Sequence, residues 1–476
     1  MIPVLLIFIP VLAGLISFLL KNERTVKGWA LISSLIVLAT SIGAITTNNP
    51  ASTLFDATWL PSLGARFTVS LDGMSKMLVL LTAVAFTLVF VATNKNEYKH
   101  TAAFYGLMLL TQAGLMGVFL ATDCLLFYFF WEFALIPVYF LCSIWGGEKR
   151  IAVTFKFFIY TFVGSLFMLV GILYLYFLTP DQSFSLNSFY SLKLTLTQQC
   201  NAFLLFFIAF AIKMPIFPLH TWQPDAYEQS PTATTMILSG VMVKMGLFGV
   251  IKWLLPIVPL AINRYAMPVM VLSVIGVLYA SLIAIKQDDV KRLIAYSSIA
   301  HIGLMCAAIF SQKNIALEGV LIQMFNHGIN VIGLWIVANA IEQQLGTRKL
   351  SELGGLAVTA PKLAILTVIM AFANVALPLT NAFIGEFLMF NGIFQYNIWL
   401  AAVAGISIIL AAVYTLNMVQ KIFYGNTVTA TEKAIDIDNH VFLSLSITAV
   451  LILVLGVFPQ PLIDLTKSAV HLLFVK

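Results

Sequence analysis

Apolar residues run along this chain in long blocks separated by short polar loops, without the narrow polar stripe of a soluble amphipathic helix. A hydrocarbon core of about 30 Å takes about 20 helical residues to cross, and the blocks predict about fourteen crossings. They fall near residues 2–20, 28–46, 74–94, 101–121, 123–145, 151–179, 201–228, 231–253, 266–285, 290–310, 315–342, 361–394, 398–424 and 439–458. The first block has neither a basic n-region nor a small-residue cleavage site, so it reads as a retained span and not a signal peptide. The expected fold class is an all-α polytopic membrane protein.

Two blocks are interrupted. The seventh contains Lys213-Met214-Pro215 and then Pro218, and the twelfth contains Ala376-Leu377-Pro378. Proline removes a backbone hydrogen bond and breaks or kinks a helix. Interruptions five blocks apart predict two five-helix repeats, helices 4–8 and 9–13, the second inverted because five is odd; transporters place polar sites at such broken helices. The expected organisation is an N-terminal group of three helices over 1–100, the first repeat over 101–253, the second over 266–424, and a last helix with a short stub over 439–476. Beyond residue 458 the stub, with Leu462, Ile463, Leu465, Val470, Leu472 and Leu473, suits a short surface helix and not a long lateral one.

Composition supports the membrane reading. Of 476 residues 61% are hydrophobic and 10% charged, where a soluble domain is about a quarter charged. The net charge of +6 reports orientation more than a nucleic-acid partner, because no Lys/Arg-rich tract exists. Alternate loops beginning with Lys21–Lys27 carry fifteen Lys and Arg, among them Lys149, Arg150, Lys291, Arg292 and Arg348; the opposite loops and the C-terminus carry eight. The positive-inside rule then puts both termini on the periplasmic side of a bacterial inner membrane. Cys124, Cys142, Cys200 and Cys306 stand singly, which argues against an iron–sulfur cluster, a zinc site or a disulfide framework. No glycine-rich nucleotide fingerprint follows a strand.

The candidate chemistry lies in charges inside apolar blocks: Glu132, Lys213, Lys244 and Glu386, with His301 and His327. A charge near the bilayer centre costs at least about 2.5–3.5 kcal/mol and marks an ion or proton route. Burial disfavours the charged form of any such group, and an opposite charge nearby restores it. A lysine beside Glu132 keeps its proton and tends to release it when the glutamate withdraws. Each residue also has a structural reading: Glu132 with Lys213 as a static ion pair, Lys244 snorkelling to an interface, the histidines as packing residues. Lys156 and Glu318 are expected at interfaces, and His220 near the cytoplasmic mouth.

These motifs resemble a known family. Phe127-Tyr128-Phe129-Phe130-Trp131-Glu132 with Ile136-Pro137, Ala211-Ile212-Lys213-Met214-Pro215 with Pro218-Leu219-His220, Ser230-Pro231-Thr232-Ala233, Asp289-Val290-Lys291-Arg292 with His301-Ile302-Gly303, Asn326-His327-Gly328 and Gly385-Glu386-Phe387 are similar to the M-type antiporter-like subunits of NADH:quinone oxidoreductase, respiratory complex I. Glu386 and the short C-terminus favour M over the L and N types. The family commonly has glycine after the second proline, where this chain has Leu379. The resemblance implies proton translocation driven by quinone reduction elsewhere in the complex. It implies that Glu132 and Lys213 form a switching ion pair, Lys244 is the central carrier, His301 and His327 bridge two half-channels, and Glu386 is the terminal site. It implies other complex I membrane subunits as partners, above all the L and N types, along with membrane lipids, and no cofactor on this chain; FMN, iron–sulfur clusters and quinone belong to other subunits. The nearest alternative is a subunit of an Mrp-type cation/proton antiporter or a membrane-bound hydrogenase.

Overall fold

The computed structural model describes residues 1–47 and 49–474. Leaving aside one-turn helices, the elements are α1 (Ile2–Ser17), α2 (Glu23–Thr46), β1 (Leu54–Leu60), β2 (Ala65–Ser70), α3 (Gly73–Ala92), α4 (Thr101–Leu120), α5 (Cys124–Trp145), α6 (Arg150–Tyr176), α7 (Leu196–Lys213), α8 (Gln223–Gln229), α9 (Thr232–Ile257), α10 (Pro259–Lys286), α11 (Val290–Phe310), α12 (Asn314–Leu345), α13 (Pro361–Asn374), α14 (Asn381–Tyr396), α15 (Ile398–Phe423), α16 (Asn439–Val457) and α17 (Gln460–Phe474). Twelve of the described helices are long and apolar enough to cross a membrane, and α1 and α13 are shorter apolar helices. The fold is that of a helical polytopic membrane protein.

Burial sorts these helices into a centre and a periphery. The apolar stretches of α9 and α12 are buried along their whole length, whereas only 28% of the α15 stretch is. Peripheral helices present Ile, Leu, Phe and Val outward, as on α6 (Ile151, Phe155, Val170) and α16 (Val450, Val454). Such a surface suits lipid, because a helix satisfies its own backbone hydrogen bonds. The central helices are the ones that carry Lys244 and His327.

Both interruptions foreseen at proline are present. α7 stops at Lys213, and α8 resumes at Gln223; α13 stops at Asn374, and α14 resumes at Asn381. In the second gap Ala376 and Leu379 have φ of 56° and 73°. An L-residue there brings Cβ close to a carbonyl oxygen, so Leu379 occupies a backbone conformation that glycine would fill without strain. The expected single blocks 201–228 and 361–394 are therefore each two helices with an irregular joint.

One element lies outside the helical expectation. Residues between the second and third blocks form an antiparallel hairpin, β1 with β2, that pairs Leu54 with Ser70 and Thr58 with Arg66. Arg66 forks onto the Asp56 carboxylate at 2.8 Å, and Thr68 donates to the same group. The Arg66 backbone amide donates to Asp123, the residue that caps α5. The hairpin thus fastens to the start of the Glu132 helix. Its signals, alternating side chains closed by Pro61-Ser62-Leu63-Gly64, are weak beside the long apolar blocks.

The C-terminal stub does form a helix, α17, which packs on α3 and α12 with Leu462 and Val470 buried. Side chains at 472 and 473, and the terminal residues 475 and 476, lie outside the described residues.

Candidate functional site

The site is built around the middle of α9. This helix widens twice into π turns, at Leu238–Met242 and Val250–Leu254, a geometry frequent at functional sites. Lys244 follows the first wide turn and is fully buried. Its ammonium donates to the Ser239 carbonyl at 2.7 Å and lies 2.8 Å from His327 Nδ1. A lysine held this deep by two acceptors is not snorkelling to an interface.

With Lys244 protonated the contact sets the tautomer: an ammonium has only donors, so Nδ1 of His327 accepts and Nε2 carries the proton. The ring of His301, on α11, lies 5.5 Å from that of His327, centroid to centroid. His301 Nδ1 then lies 3.1 Å from Glu386 Oε1 on α14. Gln323 Nε2 donates to the same oxygen at 3.4 Å. Four of the expected residues, Lys244, His327, His301 and Glu386, therefore stand in sequence through the protein centre.

Close backbone approach makes this spacing possible. A Cβ on Gly385 would lie 2.5 Å from Gln323 Oε1, and one on Gly246 would lie 2.7 Å from the Phe210 carbonyl. Glycine at 385 lets α12 approach the Glu386 helix. Glycine at 246 seats the end of α7 against α9, two residues from Lys244.

Glu132 and Lys213 do not close into the expected ion pair: Lys213 Nζ and Glu132 Oε1 are buried without a hydrogen-bond partner. Lys213 instead lies 5.5 Å from the centre of the Trp131 ring, the residue next to Glu132. Two forces hold the ammonium there. It is the last residue of α7, where the helix dipole favours a cation, and the indole face attracts it.

Several residues beyond the expected set belong to the site. On α12, Gln323, Asn326, His327 and Asn330 are all buried and share one face by their spacing. Asn326 donates to the Asn381 carbonyl at 2.7 Å, and Asn330 to that of Ala373 at 3.5 Å. They tie α12 to both edges of the α13–α14 break. Four polar residues at helical spacing in an otherwise apolar block were a legible sign.

A second charged group lies at the basic-rich end of the helices. Arg292 binds Asp225 at 3.1 Å and Glu228 at 2.7 Å; Arg348 binds Glu228 and Glu342, each at 3.1 Å; and Lys291 binds Glu342 at 2.6 Å. Lys156 reaches Asp225 at 2.9 Å from a half-exposed position, in keeping with its expected interfacial place. His220 is buried, stacked on Phe217 with Tyr279 edge-on. Glu228, Thr232, Lys291, Glu342 and Arg348 line a cavity of about 1160 Å³ that reaches the start of α9. Among the described residues no group of three or more His, Cys, Asp or Glu side chains could hold a metal ion.

The geometry agrees with what the chain is similar to. Residues 121–411 match the family described as NADH:quinone oxidoreductase/Mrp antiporter, transmembrane. The NADH-quinone oxidoreductase subunit M of Pseudomonas aeruginosa is 36% identical, over 98% of this chain and 96% of that protein. A chain of respiratory complex I from Thermus thermophilus with bound NADH superposes with a TM-score of 0.92 at 29% identity, covering 99% of this chain and all of that one. A chain of the Mrp complex from Dietzia sp. shares the fold, with a TM-score of 0.89 at 20% identity over 99% of this chain and 97% of that one. The chain therefore belongs to the NADH:quinone oxidoreductase/Mrp antiporter family, and within it to the subunits M of NADH-quinone oxidoreductase.

Proposed function

We propose that this subunit carries protons across the membrane through Lys244, His327, His301 and Glu386, driven by quinone reduction in other subunits of the complex. The observation that carries this reading is the contact of a fully buried lysine nitrogen with a histidine Nδ1, continued by a second imidazole that touches a buried carboxylate. A proton given by Lys244 to His327 Nδ1 leaves that ring cationic. Loss of the Nε2 proton toward His301 Nε2 restores neutrality, and His301 hands its Nδ1 proton to Glu386. Each imidazole accepts on one nitrogen and donates from the other, so the charge moves further than any proton does. Glu132 acts on the row from a distance: when Lys213 swings from Trp131 to the carboxylate, the positive charge at the first helix break is neutralised.

The cavity at the basic-rich end is where protons reach α9, and that end faces the cytoplasm by the positive-inside rule. On this reading both termini are periplasmic, in a bacterial inner membrane. Electrons stay outside this chain, with FMN, iron–sulfur clusters and quinone on other subunits. The L- and N-type subunits are its neighbours in the membrane. The fourteen crossings count α1 and the broken α13–α14 as spans, and α4–α9 and α10–α15 are the two inverted repeats.

Lys244→Ala tests the route. The assembled variant should lose proton pumping and coupled quinone reduction by about a hundredfold, the scale of one acid–base group. Normal pumping at matched assembly would remove Lys244 from the route. A reporter fused after Lys476 should be active only on the periplasmic side, and a cytoplasmic signal would invert the assignment.

A further inference from the structure

The row of ionisable residues ends at Glu386, but the buried polar groups continue. Tyr414 on α15 is fully buried, and its hydroxyl lies 3.0 Å from Ser297 Oγ on α11. Ser297 is one turn before His301, so the two share a face of the helix. Asn374, the last residue of α13, donates to Ser297 Oγ at 3.2 Å and to Thr415 Oγ1 at 2.9 Å. Ser297 can also donate to Asn374 Oδ1 at 3.4 Å, so either hydroxyl can be the donor between Ser297 and Tyr414. In both cases the Tyr414 hydroxyl keeps hydrogen-bonding capacity beyond this contact.

Tyr414 also borders a small, partly open space. A cavity of about 10 Å³ is lined by Tyr414, Glu386, His301, Ser281, Ser407 and Val277. One water needs roughly 10–15 Å³ on this measure, and two to four polar partners. The phenol, the carboxylate and the imidazole supply them. Ser281 gives its proton to the Val277 carbonyl at 2.7 Å and keeps its oxygen as a further acceptor.

We propose that one water in this cavity links the Tyr414 hydroxyl to the Glu386–His301 pair, and that Tyr414, aimed by Ser297 and Asn374, is a positioning residue for the Glu386 carboxyl. The helix break is thereby tied to the proton site: Asn374 ends α13, and any change in the joint reaches Glu386 through Ser297 and Tyr414. This rests on Glu386 holding a proton, as proposed above.

Tyr414→Phe keeps the ring and removes the hydroxyl. Reconstituted wild-type and variant complex are compared by proton pumping and by infrared difference spectroscopy during turnover, with the Glu386 carboxyl band assigned by its loss in Glu386→Gln. Without the hydrogen bond the carboxyl C=O stretch should move to higher frequency, and pumping should fall by about tenfold, the scale of one hydrogen bond to an ionisable group. Ser297→Ala leaves Tyr414 in place but unaimed, and should give a smaller shift in the same direction. It decides the matter alone if Tyr414→Phe fails to assemble. A band at the wild-type frequency in the variants that assemble overturns the inference while leaving Glu386 on the route. Normal pumping by Glu386→Gln overturns both readings.

Discussion

The two helix breaks are built alike and filled oppositely. At the first, α7 ends in a lysine that faces an aromatic ring and has no hydrogen-bonded partner. At the second, α14 carries a glutamate held by His301 and Gln323, with Asn326 and Asn330 securing the joint around it. The difference follows from what each charge accepts. An ammonium can rest against an indole face and a helix C-terminus, both of which leave it free to move. A carboxylate is held by directional donors, and these fix its position. The first break thus has the character of a moving part, and the second that of a fixed receiver.

The strongest way to break this comparison is to remove charge at the first break. Glu132→Gln should lower pumping by about tenfold, because Lys213 loses the only anion assigned to receive it. Lys213→Met should cost a similar amount. If the two act as one switch, the double variant costs less than the sum of the singles in free energy. Turnover and proton-gradient formation in membranes matched for assembled complex measure this, and additive losses would show two independent residues.

Trp131→Leu sharpens it. A cation–π contact of this kind contributes about 0.5–2 kcal/mol, so the open position of Lys213 should weaken by severalfold while Glu132 is untouched. Coupled turnover should change by that order and electron transfer to an artificial acceptor should not. Equal loss of both activities would assign Trp131 to packing, since its ring also meets Phe127 and Phe210.

The smallest effect is expected at the second joint. Leu379 holds φ at 73° and is 68% exposed, so little burial is lost on truncation. Leu379→Gly removes a left-handed penalty of about 1–2 kcal/mol against a glycine cost of about 0.5–1 kcal/mol. The purified complex should melt at the same temperature or slightly higher, with pumping unchanged. A clear loss of stability would show that the Leu379 side chain, and not its backbone, matters at this joint.

Much of this was legible along the chain. Apolar blocks located the long helices, because a bilayer sets their length and chemistry. Prolines located both breaks, because a missing N–H acts locally. Isolated charges and histidines in apolar blocks named the six candidate residues, because such groups are costly unless they have a use. The hairpin was not legible, since strand pairing depends on partners that a short alternating segment does not display.

Order and contact were left to the tertiary structure. Nothing in the spacing of residues 244, 301, 327 and 386 says that Lys244 touches His327 Nδ1 or that His301 and not His327 meets Glu386. Those contacts depend on how α9, α11, α12 and α14 pack, with Gly246 and Gly385 permitting the approach. Likewise, the charges of Glu132 and Lys213 suggested a closed pair, and packing placed the lysine against Trp131. A sequence determines which groups must leave water together; the fold alone decides which of them meet, because hydrogen bonds and cation–π contacts act over a few ångströms and those distances are set between helices far apart in the chain.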